Sequence, residues 1–514
     1  MTAPLLTPPT RLGLAIVGAA LALGVTGDLL LRAMPWGLNV TLCAAALTAA
    51  TAGLVRWQRI AISPDAPWLG LTVVLLGAAF ARRDSRMLAA CDVVALTLVL
   101  GLAAASLQGA RVRLLDAAGH VRVLVTAALG AVLGSLPLVF RDVAWQEIPR
   151  GGRLHRWRAV ALGGVLAFPL LLVFGALFSG ADAVFANVVS NAFAVDVPRL
   201  LSHMFLIGFW AALTGGYLRS ALLGRRAAPA ATTDPGGGPA LGILPVATAL
   251  GLIDLLFLLF VVVQARYFFG GSALIERTTG LTYAEYARHG FFELVTASGL
   301  ALPTLLGADW LLRGETTDHR RTFRQLAGLL LGLLTVVVAS ALERMRLYVA
   351  AFGLTEIRLY ATAFMGYLVV LLAWFAWTVL RERRRQFAFG ALLQGFAVLA
   401  GLHLLNPDAY IVRQNLAHPG SERPFDVTYA ARLSADAVPV LVAALPTLEP
   451  REARCTGARM VVSRWRAAAP DDWRSWNWGR ARARAVVSAN EAHLRALACR
   501  ATPSGSPATA TEHE

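Results

Sequence analysis

The chain has no lysine. All 47 basic residues among its 514 are arginine. That absence removes the lysine of a phosphate-binding loop, the Schiff-base lysine of pyridoxal chemistry, the kinase strand lysine and the Ser–Lys dyad. ATP-driven transport by this chain alone is therefore not expected. The sequence also lacks a Gly-x-Ser-x-Gly elbow, a His-Glu-x-x-His helix and a Cys-x-x-Cys pair, so neither a metal nor an organic cofactor is expected. Charge is scarce as well, at 15% of residues against about 25% in soluble domains. A net charge of +16 would suggest nucleic acid in a soluble protein. Here the arginines gather at the ends of apolar runs and in the tail, where they act as topology signals and headgroup contacts.

What is present in abundance is apolar sequence, 57% of the chain. About twelve runs of roughly 16–24 residues extend from Leu12 to Leu405, each ended by arginine or a Gly/Pro turn. A spanning segment must satisfy its own backbone polar groups, which a helix does. We expect an all-α, polytopic transmembrane bundle with spans near 12–31, 36–55, 66–81, 87–107, 123–140, 159–179, 200–222, 241–264, 291–312, 325–342, 358–380 and 386–405. The first run has no small-residue cleavage site and carries Asp28, so it reads as a retained helix rather than a signal peptide. Heavy Ala, Arg and Gly usage points to a GC-rich bacterial source and the cytoplasmic membrane.

Arginine orients the bundle. The connections 141–158, 223–240, 313–324 and 381–385 carry Arg141, Arg150, Arg153, Arg156, Arg158, Arg225, Arg226, Arg313, Arg320, Arg321, Arg324 and a run of four at Arg381 and Arg383–Arg385. These connections alternate along the chain and are expected inside. The loops 180–199, 265–290 and 343–357 are balanced or acidic and are expected outside, as are both termini if twelve runs cross. Arg56, Arg59, Arg111 and Arg113 fall on the outward side of this assignment.

The outward loops carry the most distinctive residues. Gln264-Ala-Arg266-Tyr-Phe-Phe-Gly-Gly271 precedes Gly280-Leu-Thr282-Tyr-Ala-Glu285-Tyr-Ala-Arg288-His-Gly-Phe-Phe-Glu293. Thr282 and Glu285 have capping-box spacing, and the aromatics suit a helix entering through an interfacial belt. A sharper reading makes Glu285, Arg288 and Glu293 a polar site at the outer mouth, with Arg266 pairing to Glu293. The next outward loop repeats Gly-Leu-Thr at Gly353–Thr355, with Arg346, Glu356 and Arg358 around it and Thr355 placed to cap the following helix.

These blocks, with Asn406-Pro-Asp-Ala-Tyr-Ile-Val-Arg-Gln-Asn415, Phe425–Pro439 and Asp472-Trp-Arg-Ser-Trp-Asn477, resemble a bacterial multi-pass membrane family described only as a domain of unknown function (four-one-seven-three, related to four-one-five-three). The resemblance covers roughly residues 160–480. It implies a polytopic bundle and brings no activity or catalytic residue.

We accordingly divide the chain into an N-terminal transmembrane segment (1–158), a family-like transmembrane core (159–405), a helical extramembrane tail (406–500) and a disordered end (501–514). Asn406-Pro407-Asp408 reads as a helix start, with a cap, a first-turn proline and an acid at the positive end. Trp473, Trp476 and Trp478 among arginines read as docking to the membrane surface. Cys43 and Cys91 fall in spans. Cys455 and Cys499 lie in the tail, where an outward location would permit a disulfide.

An ionisable group at membrane depth is a functional hypothesis by default, and Asp254 in Leu-Ile-Asp-Leu-Leu is the clearest case; Asp92, Asp309, His203 and His403 lie nearer span ends. Three classes of function compete. The leading one is a non-enzymatic membrane protein that binds, senses or scaffolds an envelope component or partner membrane protein. The second is a secondary transporter or flippase using Asp254. The third is a membrane enzyme on a lipid-linked substrate, with Glu285 or Glu293 as acid–base groups. The lipid bilayer is the expected partner, and nucleic acid is not.

Overall fold

The computed structural model describes residues 7–147, 197–224, 242–279, 291–312, 317–417, 424–466 and 472–498, with isolated positions between 163 and 182. Among the described residues the fold is all-helical. The principal helices are α1 (Pro8–Leu31), α2 (Leu38–Trp57), α3 (Ala66–Arg82), α4 (Arg86–Leu107), α5 (Ala117–Leu133), α6 (Val197–Leu223), α7 (Ile243–Thr279), α8 (Phe291–Leu311), α9 (Thr317–Phe352), α10 (Glu356–Thr378) and α11 (Arg384–Leu405). The tail follows as α12 (Pro407–Ala417), α13 (Val427–Arg432), α14 (Val438–Ala444), α15 (Arg451–Arg466), α16 (Trp478–Ala489) and α17 (Glu491–Leu497). Nine helices among the described residues are long and apolar enough to cross a membrane, and α5 with its continuation to Asp142 would make a tenth. The run at 159–179 lies largely outside the described residues.

By contact, the chain forms two compact units: residues 1–78, 95–113 and 118–232, and residues 79–94, 114–117 and 233–514. Contact between helices thus groups α6 with the N-terminal helices, and residues 79–94 with the tail.

In the first unit α1 lies along α6. The approach is close because Gly24 and Gly27 face it: a Cβ on Gly24 would sit 2.6 Å from the Ile207 carbonyl oxygen, and one on Gly27 2.7 Å from Trp210. Small residues of this kind let membrane helices pack backbone to backbone. Asp28, the charge that marked α1 as retained, is buried here, holding Arg32 at 2.9 Å and the His203 Nδ1 at 2.5 Å.

At the opposite end of this unit several connections meet. Thr7 donates to Glu147, the Ser63 amide donates to the Ser106 carbonyl, Arg113 pairs with Asp65, Gln108 donates to the Ser220 carbonyl and Arg219 pairs with Asp142. The α5 segment begins four residues after Arg113 and ends at Asp142, so both its ends lie at this same end. It bends by 55° between Leu133 and Ser135, and its glycines tuck onto the last turns of α6, where Gly134 lies against Gly216. The expected span 123–140 is therefore a bent helix pair and not one straight helix. The connections that carry Arg56, Arg59, Arg111 and Arg113 lie at this end together with the one that carries Arg141. Thr7 lies at this end as well, held by Glu147.

In the second unit the helices α7–α11 bury a core of Leu305, Leu330, Leu334, Met365 and Phe375. One end of this layer holds the arginine connections, where Arg384 pairs with Asp309 at 2.9 Å and Arg324 approaches Glu382 at 3.9 Å. The tail has a second core, including Ile411, Val412, Leu441, Leu445, Val461 and Val487, into which Leu354 and Leu359 insert from the connection preceding α10 and its first turn. The tail therefore sits at the other end of the layer.

Candidate functional site

The tail meets the helix ends through a seam of buried charge. Arg83 and Asp84 occupy the short connection between α3 and α4. Arg83 donates through Nε and Nη2 to the His403 carbonyl at 3.0 and 2.8 Å, and its Nη1 reaches Asp436 Oδ1 at 3.4 Å. Asp84 accepts from Arg480 at 2.5 Å and from the Ala435 amide at 3.2 Å, while its own amide donates to Asp436 Oδ2 at 2.7 Å. Asn477 caps α16 through its side-chain oxygen, and its Nδ2 donates to the carbonyls of Phe80 and Arg83 at 2.8 and 2.9 Å. That single side chain satisfies two carbonyls at the end of α3, groups a helix end leaves unpaired. Arg480 and Asp436 are almost fully enclosed, so the charges are paired where water cannot screen them.

A second line of contacts ties in the connection between α9 and α10. Gly353 adopts φ +76°, which ends α9 at a conformation glycine enters freely. Asn415 then clamps Leu354, accepting from its amide at 2.7 Å and donating to its carbonyl at 2.9 Å. The Glu356 amide donates to the Tyr429 hydroxyl at 2.9 Å. Beside this, His403 Nε2 meets Asp92 Oδ1 at 2.9 Å.

Asp408 is the odd member. It is fully buried. One carboxylate oxygen accepts from the Ser434 amide at 3.2 Å, and the other has no partner. Burial, reinforced by Glu356 and Asp436, pushes its carboxyl up to about 6; burial also raises Asp436. Asp408 is thus a proton-binding group near neutrality.

The sequence-derived candidates fare unevenly. Asp254 is buried on α7 with neither carboxylate oxygen partnered. Glu285 and Arg288, and the side chain of Arg266, lie outside the described residues, as do the Thr282 cap and Cys499. Glu293 is exposed in the first turn of α8. Arg346 is exposed and pairs with Glu343 at 2.9 Å. Arg358 donates to the carbonyls of Phe352 and Gly353 and stacks 3.9 Å over Tyr348, so it finishes α9. Thr355 sits at the N-cap of α10 without a side-chain capping bond. Asn406 does not cap α12 either: it takes the left-handed conformation that ends α11, and its side-chain oxygen is unpartnered. Cys455 is disulfide-bonded, while Cys43 and Cys91 are free thiols.

Sequence reasoning passed over Arg83, Asp84, Asp436 and Arg480. The usable signal was the Arg82-Arg-Asp-Ser-Arg86 cluster, dense charge in a connection too short to need it. Among the described residues, no group of three His, Cys, Asp or Glu side chains is placed to hold a metal. The three tryptophans of the tail are exposed, Trp473 at 64%, Trp476 at 40% and Trp478 at 57%, on either side of the Asn477 that holds the end of α3.

No characterised protein and no solved structure matches the chain. A family model does match, over residues 70–444, that of a domain of unknown function, DUF4153. It reaches further toward the N-terminus than the motifs that suggested the resemblance and stops before the tryptophan segment. The chain is an integral membrane protein belonging to the DUF4153 family.

Proposed function

We propose that this is a non-enzymatic protein of the bacterial cytoplasmic membrane whose tail, facing the envelope, binds, senses or scaffolds an envelope component. The observation that carries this reading is the Asp84–Arg480 pair with its neighbours. A folded domain with its own core is clamped by buried charge to the connection between two membrane helices, so a load on the domain passes into α3 and α4. The arginine distribution supports the orientation, since in the second unit Arg320, Arg321, Arg324 and Arg383–Arg385 lie at the end opposite the tail. The disulfide at Cys455 suits an oxidising compartment, and Cys499 is the partner we propose. The exposed tryptophans would rest at the headgroup level.

The test is labelling of intact cells with a membrane-impermeant maleimide, following Cys455 and Cys499 against their serine variants. Labelling that appears after mild reduction supports the reading. Labelling that requires permeabilisation, with reductant present throughout, would place the tail inside and overturn it.

One observation favours a second reading. Asp254 is buried at membrane depth with both oxygens unpartnered, as a proton-carrying site of a secondary transporter would be. Proteoliposomes loaded with a pH-sensitive dye and driven by a potassium diffusion potential would acidify in the wild type and not in Asp254→Asn. Equal traces in both would remove the transporter reading.

A further inference from the structure

At the arginine-rich end of the second unit, the connection from α10 to α11 and the first turns of α9 border an open cavity of about 420 Å³, lined by Arg320, Glu382, Arg383, Arg384, Arg385 and Gln386. Four guanidinium groups border it against a single carboxylate. Two of these charges are already answered: Arg384 is held by the buried Asp309 at 2.9 Å, and Glu382 lies 3.9 Å from Arg324. Among the described residues, Arg320, Arg383 and Arg385 have no carboxylate within ion-pair distance. Glu382 takes φ +62°, a left-handed turn that sets the three consecutive arginines at the mouth of α11. The first turn of α11 adds the positive end of its dipole.

Topology signalling requires arginine on this side of the bilayer, and scattered, solvated arginine would serve. It does not require three like charges to converge on one cavity, an arrangement that repels itself until an anion enters. Guanidinium forks match phosphate oxygens two at a time. Basic pockets at the ends of membrane helices are where anionic headgroups bind. Beside the cavity, Trp377 is half exposed and carries Arg381 stacked at 4.0 Å, a pairing characteristic of headgroup depth.

We propose that this cavity binds a phosphate group, carried by the headgroup of an anionic phospholipid or by a soluble phosphorylated ligand, with Arg320, Arg383 and Arg385 as its direct contacts and Arg384 fixed by Asp309 as the rigid wall. Arg383 and Arg385 are exposed, so their truncation leaves the core untouched.

The experiment uses the full chain purified in a non-ionic detergent, wild type beside Arg383→Ala/Arg385→Ala and Arg320→Gln. Native mass spectrometry reads phospholipid retention, and thermal unfolding reads titrations with phosphatidylglycerol, phosphatidylcholine and inorganic phosphate. Retention of anionic lipid, reduced roughly tenfold or more in the double variant, with stabilisation by phosphatidylglycerol and not phosphatidylcholine, supports the site with lipid as its source. A saturable rise in unfolding temperature with inorganic phosphate that the variants lose, without lipid retention, supports it with a soluble source. Lipid retention and phosphate response equal in wild type and variants would overturn it, and gel filtration with helical circular dichroism confirms that each variant is folded.

Discussion

The Arg480 guanidinium, in the first turn of α16, reaches the Asp84 carboxylate at 2.5 Å across 396 positions of sequence. Both side chains are largely enclosed, and each is held by further bonds, Arg480 to the Ser475 carbonyl and Asp84 to the Ala435 amide. Removing one partner leaves the other charge buried and uncompensated, which costs about 3–5 kcal/mol. Arg480→Ala should therefore loosen the tail, seen as faster proteolysis between residues 406 and 498 while the membrane helices keep their circular dichroism. Asp84→Asn should act the same way, and the double variant should cost less than the sum of the two. Additive costs would show that the pair is not coupled.

Asp408 gives the tail a pH dependence whose sign follows from its raised pKa. The folded state holds its proton up to about 6, while the unfolded chain releases it near 3.8. Between those values the folded state binds more protons, so stability falls as pH rises through that window and stays low above it. The difference corresponds to roughly 3 kcal/mol. Asp408→Asn keeps an acceptor for the Ser434 amide and cannot ionise. Its unfolding temperature should change less between pH 4 and 7 than that of the wild type. Parallel curves for the two proteins would remove Asp408 as the titrating group.

Close packing of α1 on α6 rests on the absence of a side chain at Gly24. A Cβ there would lie 2.6 Å from a backbone oxygen, which cannot move aside as a side chain would. Gly24→Val should force the helices apart and cost about 1–3 kcal/mol, measured as a lower unfolding temperature. Gly18→Val, on a position with open space around it, should be close to neutral. The same cost at both positions would mean that contact with α6 is not the cause.

Asp254 carries no hydrogen bond to lose. Asp254→Leu should therefore raise the stability of the helix layer by a few kcal/mol, because an ionisable group at that depth is costly, with the gain read by thermal unfolding in detergent. A loss of stability would reveal a partner at the carboxylate and count against a vacant proton site.

The sequence by itself determined the all-helical membrane class, because a bilayer demands about 20 apolar residues per crossing whatever surrounds them. It also makes Asp254 and the loss of hydropathy after Leu405 visible, since a charge in an apolar run and a fall in hydropathy are local properties. It did not show the bend within 123–140, because hydropathy carries no signal for a break in a helix axis. The bend is set by packing: Asp142 on Arg219, Gly134 against Gly216. The sequence also passed over the seam, because Asp84, Asp436, Asn477 and Arg480 look like ordinary surface residues in a linear text. Only the tertiary structure brings them together and excludes water from them, and a paired charge gains its meaning from that exclusion.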